Sequence, residues 1–190
     1  MNYIEEQINT HLNLINKQKK EILLKIEIFS KLLIKVIKEN KKIMVVGNGG
    51  SAADAQHLST ELSVRMKYNR IALPCLSLST DTSALTAIGN DFNFEKIFSR
   101  QIEAIGKKSD ALIVISTSGN SMNIISALKE AKKKKIKTFG ILGNNGGKAK
   151  KYCDQTFIVK SKNPSRIQEI HIIFYQLFCE KIEIFFKNYK

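Results

Sequence analysis

From residue 41 onward the chain repeats one pattern: a short apolar run, a turn of glycine or hydroxyl residues, then apolar positions at helical spacing. The runs are 43–46, 71–78, 111–115, 138–142 and 156–159, and helices are expected between them at about 51–66, 82–88, 93–105, 121–134 and 146–151. This βαβα order specifies an α/β fold, a three-layer sandwich in which a five-stranded parallel sheet carries helices on both faces. Ligands of such sheets bind at the carboxyl ends of the strands. Three strand ends lead into Gly47-Asn48-Gly49-Gly50-Ser51, Ser116-Thr117-Ser118-Gly119-Asn120-Ser121 and Gly143-Asn144-Asn145-Gly146-Gly147, so these turns are expected to line one crevice.

Helices flank this unit. Ile4, Ile8, Leu12 and Ile15, then Ile22, Ile26, Phe29, Leu33 and Ile37, mark residues 3–39 as one long helix or two bent around 16–20. Asn163-Pro164 opens a final helix to about 187, with Asn at the N-cap and Pro in the first helical position. Ile170, Ile172, Ile173, Phe174, Leu177, Phe178, Ile182, Ile184 and Phe185 surround that helix almost completely, which demands burial and suggests a subunit interface. The chain of 190 residues reads as a single domain, 1–190, with 1–40 as a helical extension.

A net charge of +14 invites a nucleic-acid reading, but lysine supplies the excess and arginine occurs only at 65, 70, 100 and 166. Without arginine forks or interleaved aromatics, a solvated lysine surface is the better reading, and no nucleic-acid partner is expected. Cys75, Cys153 and Cys179 lack metal-type or redox-type spacing and read as free thiols. No leader and no apolar stretch of membrane-spanning length is visible, so the expectation is a cytoplasmic protein with no membrane partner.

The 116–121 loop carries the sharpest chemical signal. Four hydroxyls, a glycine and the opening of a helix surround an anion with donors, and the helix dipole favours negative charge there. The spacing is neither that of a nucleotide P-loop nor that of a dinucleotide fold; the loop reads as built for a small phosphate monoester, the alternative being an ordinary polar turn with a serine N-cap. The 47–51 turn launches a helix bearing Asp54, His57 and Glu61. His57 and Glu61 share a face about 6 Å apart along the axis, a spacing that serves a divalent metal, an acid/base pair or a plain surface pair. Asp81 or Thr82 should cap a short helix, and Asn90-Asp91 are either turn residues or partners for sugar hydroxyls.

Taken together and in order, Gly47-Asn48-Gly49-Gly50-Ser51, His57, Glu61, Gly89-Asn90-Asp91-Phe92, Phe98-Ser99-Arg100, the 116–121 loop and Arg166-Ile167-Gln168-Glu169-Ile170-His171 resemble the bacterial phosphoheptose isomerases. These are sugar-isomerase (SIS) domain proteins, flavodoxin-like in fold. The resemblance covers about residues 40–185. It implies interconversion of sedoheptulose 7-phosphate and D-glycero-D-manno-heptose 7-phosphate, supplying heptose for surface polysaccharide, by a homotetramer. It implies that Ser116, Thr117, Ser118 and Ser121 hold the phosphate and that Asn48, Gly49, Gly50, Ser51, Asn90, Asp91 and Gln168 line the substrate site. Glu61 becomes the proton-transfer base, with His57 beside it. The family's metal, zinc in several members, would fall to His57, Glu61, Gln168 and the residue eight positions later.

That residue is Gln176 where the family has histidine, and glutamine cannot exchange a proton near neutral pH. Gln168 and Gln176 stand about 12 Å apart along a straight helix, and His171 is turned about 140° from Gln176. A non-catalytic SIS protein that binds a replication initiator or another regulator, and an isomerase of a different sugar phosphate, therefore remain alternatives.

Overall fold

The computed structural model describes residues 2–189. Helix α1 (Tyr3–Lys38) is followed by β1 (Ile43–Gly47), α2 (Gly50–Ser63), β2 (Cys75–Ser77), α3 (Thr82–Asp91), α4 (Ser99–Ile105), β3 (Ala111–Ser116), α5 (Met122–Lys133), β4 (Lys137–Gly143), β5 (Gln155–Val159) and α6 (Pro164–Phe186). All strand pairings are parallel, in the order β2-β1-β3-β4-β5. The strand order reverses between β1 and β3, which creates the crevice where ligands of this architecture bind.

Every residue of β1 and β3 is buried because both sheet faces are covered. Along β1, Ile43 and Val45 join a core with α1, α2 and α6, whereas Met44 and Val46 join another with α4 and α5. Strand alternation thus feeds two cores from one run. Phe29 of α1 meets Phe139, Phe174 and Phe178. Helices α1 and α6 run side by side in the same direction, with Arg166 bonded to Gln7 near their starts and Lys38 over Phe185 near their ends. Gln18 completes the outer edge of β5: its amide donates to the Ile158 carbonyl and accepts from Lys160 N, both at 2.9 Å. This covers backbone that would otherwise template pairing with another chain.

Several expectations are refined. Residues 3–38 form one unbroken helix, capped by Asn2, with Glu5 and Glu6 in its first turn and Lys35 and Lys38 in its last, all favourable to its dipole. The expected strand at 71–78 shortens to 75–77, because Pro74 has no N–H and Leu73 N bonds instead to the Leu62 carbonyl. The helix expected over 51–66 stops at Ser63, and buried Glu183 receives the N–H groups of Met66 and Lys67 beyond it. The 93–105 helix breaks into a 3-10 turn, Phe94–Lys96, and α4, because Ile97 and Phe98 between them turn into the core. The last expected helix reduces to a 3-10 turn, Ala149–Tyr152. Asp81 is the cap of α3, accepting from Ala84 N at 2.9 Å. The final helix is not wholly buried within the chain: Ile172, Leu177, Ile184 and Phe185 stay exposed. Among the described residues, no helix is long and apolar enough to cross a membrane.

Candidate active site

A cavity of about 60 Å³ opens at the switch point, lined by Asn48, Ser51, Ile115, Ser116, Thr117, Ser118 and Ser121. It suits a phosphate group and not a whole sugar, since pockets for entire small ligands run to several hundred Å³. The 47–51 turn reaches it because Gly49 adopts φ +55° and ψ −122°, a region essentially closed to other residues. Ser116 Oγ accepts from Gly119 N at 3.0 Å and Ser118 Oγ from Asn120 N at 3.1 Å, so the hydroxyl hydrogens of both remain to be donated. Ser121 is the N-cap of α5 but makes no side-chain cap bond. The N-terminus of α5 therefore faces the cavity with its dipole. No lysine or arginine lines the cavity.

The 143–147 turn does not join this lining. It supports the hydroxyl loop from below: a Cβ at Gly119 would fall 2.1 Å from the Gly146 carbonyl oxygen, which restricts that position to glycine. Ala149 N and Lys148 N bond to the Gly119 carbonyl and the Asn120 side chain. Asn144 and Asn145 instead line a separate cavity with Glu21, Lys25, Lys150 and Lys160.

Farther along α2 a second cluster assembles. His57 Nε2 lies 2.8 Å from Glu61 Oε1, and the Gln176 amide lies 3.1 Å from that nitrogen and 3.3 Å from that oxygen. Helical spacing brings His57 to Glu61, and the packing of α6 on α2 brings Gln176. His57 Nδ1 meets the Tyr175 hydroxyl at 3.1 Å, and that hydroxyl lies 3.4 Å from Asp54 Oδ1. Burial pushes the Asp54 carboxyl up while Tyr175 and His57 pull it down. Burial, reinforced by Asp54, raises the Tyr175 hydroxyl and keeps it protonated. Burial also raises all three free thiols.

Gln168 sits elsewhere. Its Nε2 is 3.0 Å from the Cβ position of Gly50, at the start of α2, so the two glutamines attend opposite ends of that helix. Asn90 and Asp91 are exposed at the end of α3 and bonded to each other at 2.9 Å, outside the cavity lining. His171 is fully buried on α6 beside the Leu142 carbonyl, with neither ring nitrogen reaching full hydrogen-bond geometry. The sequence reading missed Asn123 and Tyr175. Asn123 stands two residues past the hydroxyl loop and could have been suspected. Asp54 precedes His57 by one helical turn. Tyr175 lies within an apolar run and gives no signal of its own.

A 2-1-3-4-5 parallel sheet with a hydroxyl-lined cavity at its switch point defines an α/β domain of the flavodoxin type, and the family model described as SIS domain matches residues 3–143. Phosphoheptose isomerase from a Nitratiruptor species is 47% identical over 96% of this chain and 98% of its own. Phosphoheptose isomerase 1 from Campylobacter jejuni is 46% identical over 96% of this chain and 98% of its own. The solved phosphoheptose isomerase of Neisseria gonorrhoeae superposes with a TM-score of 0.90 at 35% identity, over 95% of this chain and 97% of that one. The chain belongs to the SIS domain family and, within it, to the phosphoheptose isomerases.

Proposed function

We propose that this chain is an aldose–ketose isomerase that interconverts sedoheptulose 7-phosphate and D-glycero-D-manno-heptose 7-phosphate through an enediol. The observation that carries the reading is the arrangement along α2. The hydroxyl cradle meets Ser51 at its start. His57 and Glu61 follow six and ten residues on, about 9 and 15 Å along the axis. That separation suits the phosphate and the far end of a long sugar.

The phosphate is held by Ser116, Thr117, Ser118 and Ser121, aided by Asn48, Ser51 and the dipole of α5. Gly49 and Gly50 let the backbone approach, and Gln168, Asn90 and Asp91 serve sugar hydroxyls. The Glu61 carboxylate removes the proton from the carbon beside the carbonyl. The C–H electron pair becomes the enediol double bond while the carbonyl oxygen takes up a proton. Glu61 then returns its proton to the neighbouring carbon, and the other oxygen gives up its own. His57 moves the proton between the two oxygens, and the Gln176 amide donates to the oxygen that gains charge.

The site also suits zinc. A tetrahedral ion with bonds of about 2.0–2.1 Å spaces its ligands about 3.3 Å apart, close to the 2.8, 3.1 and 3.3 Å separations here. His57, Glu61 and the Gln176 carboxamide oxygen, once the amide is turned, would hold the ion, which would polarise the substrate carbonyl. We further read the protein as cytoplasmic, serving heptose supply for surface polysaccharide, and as a homotetramer. Exposed Ile4, Ile8 and Leu12 on α1, with Ile172 and Leu177 on α6, support assembly. So does the 52% exposure of the His57 side chain, which an enediol site must shield from water.

The test is turnover of sedoheptulose 7-phosphate in deuterated water, with deuterium entering the heptose beside the carbonyl. Glu61→Gln should lower kcat by about 10²–10⁴-fold with little change in KM. Near-native turnover in that variant, or none in the native protein, would overturn the reading.

A further inference from the structure

We infer that Arg70 is a positioning residue for Glu61: its guanidinium, anchored on buried Glu183, closes the last turn of α2 and fixes the main chain from which the Glu61 carboxylate projects. The consequence for catalysis rests on the isomerase reading above, whereas the closing of the turn does not.

Glu61 stands third from the end of α2. The terminal carbonyls of a helix have no partner within it, and a last turn left that way frays. A proton carrier placed there needs the turn closed from outside, and the chain that follows α2 folds back to do so. Leu73 N donates to the Leu62 carbonyl at 3.2 Å. Arg70 Nη2 donates to the Glu61 carbonyl at 2.8 Å. Its Nη1 donates to the Ile71 carbonyl at 2.8 Å, with the Val64 carbonyl at 3.5 Å. The last turn of α2 holds no basic residue of its own, so Arg70 also supplies the cation that the helix dipole favours at this end.

Arg70 is itself held. Its Nε lies 3.5 Å from Glu183 Oε1, and neither side chain reaches solvent. The two Glu183 oxygens also accept Met66 N at 2.7 Å and Lys67 N at 2.8 Å, the kind of partner set without which a buried carboxylate is costly. Seven residues separate Gln176 from Glu183, which puts both on one face of α6. Gln176 meets the Glu61 carboxylate at 3.3 Å, while Glu183 anchors the guanidinium that grips the Glu61 main chain. One face of α6 thus holds Glu61 by its side chain and by its backbone. Arginine suits the place because its planar fork serves carbonyls and a carboxylate at once, which a lysine ammonium does not match.

The experiment is a double-mutant cycle on the full chain. Arg70→Lys keeps the charge opposite Glu183 but not the fork. It should lower kcat for sedoheptulose 7-phosphate by about tenfold or more, as a shifted carboxylate would, with KM within about twofold. In a Glu61→Gln background no carboxylate is left to position, and the same change should alter kcat by less than about twofold. Equal losses in both backgrounds mark a general structural effect and overturn the inference, as does native kcat in Arg70→Lys. Hydrogen exchange of residues 60–64, followed by mass spectrometry, reads the turn without turnover. Protection there should fall in Arg70→Lys, and unchanged protection overturns the inference. If Arg70→Lys does not fold, Arg70→Gln combined with Glu183→Gln removes both buried charges together and takes its place in each measurement. Lost protection at 60–64 in a protein without turnover, or in one where Glu61→Gln costs nothing, sustains the closing of the turn while removing the isomerase reading.

Discussion

The side chains of Asn48 and Asn123, 75 residues apart, exchange two amide hydrogen bonds of 2.9 and 2.7 Å. Asn48 belongs to the turn after β1, and Asn123 to the first turn of α5, where its Oδ1 also accepts from Ile124 N. The pair ties the two sides of the cradle together across the switch point before any ligand arrives. Such preorganisation spares the cost of ordering the loop on binding. Asn123→Asp keeps the shape, removes the donor to Asn48 and sets a carboxylate beside the phosphate. Steady-state kinetics should show KM raised at least tenfold with kcat far less affected, and an unchanged KM would place the phosphate elsewhere.

The hydroxyl loop itself is tested by removing two donors at once. Ser118→Ala combined with Ser121→Ala deletes hydrogen bonds to a charged ligand worth about 1.5–3 kcal/mol each. Ser118 also holds Asn120 N, so part of the effect is loss of loop order. KM should rise strongly while the melting temperature moves little. A KM that stays put would shift the phosphate to the 47–51 turn.

What was legible in the sequence is what depends on local spacing. The apolar runs announced the strands, and four-residue spacing put Glu61 beside His57. What was not legible depends on how distant pieces pack. Nothing near Gly143 or Gly147 says that their turn braces the loop instead of facing ligand, because the decision lies in the close approach of Gly119 to Gly146. Nor does helical periodicity separate Tyr175 from the apolar residues around it, although its hydroxyl alone among them meets His57. The break before α4 was hidden for a similar reason: Ile97 and Phe98 fit a helical pattern, but the core draws both inward. The convergence of Gln176 on His57 and Glu61, and the placement of Gln168 at the opposite end of α2, follow from how α6 lies across α2.

Acid should weaken the fold through His171. Burial pushes this ring from 6.5 down to about 4, with the Leu142 carbonyl partly opposing. Between those values the unfolded chain binds a proton that the native ring refuses. Stability therefore falls as pH drops through 6.5 and the contribution is exhausted below 4, a total of about 3 kcal/mol. Denaturant melts across pH 4–7 should show this slope, and His171→Leu should flatten it. An equal slope in the variant would assign the acid sensitivity to other groups.

Gln176 is the position at which this chain parts from the resemblance that otherwise describes it. Its amide already touches both His57 and Glu61, so the geometry of a third ligand is present and only the donor is weak. Gln176→His replaces a carboxamide with an imidazole, a far better zinc ligand and a group that can exchange protons near neutral pH. Zn²⁺ affinity measured by competition with a chelator should rise at least tenfold. Turnover should change by a smaller factor, because in the proposed mechanism Glu61 carries the proton between the carbons in either variant and His57 serves the oxygens. Unaltered zinc affinity would remove position 176 from the metal site. A native protein without turnover that gains it in Gln176→His would mean that the natural chain binds its sugar phosphate and leaves it unconverted.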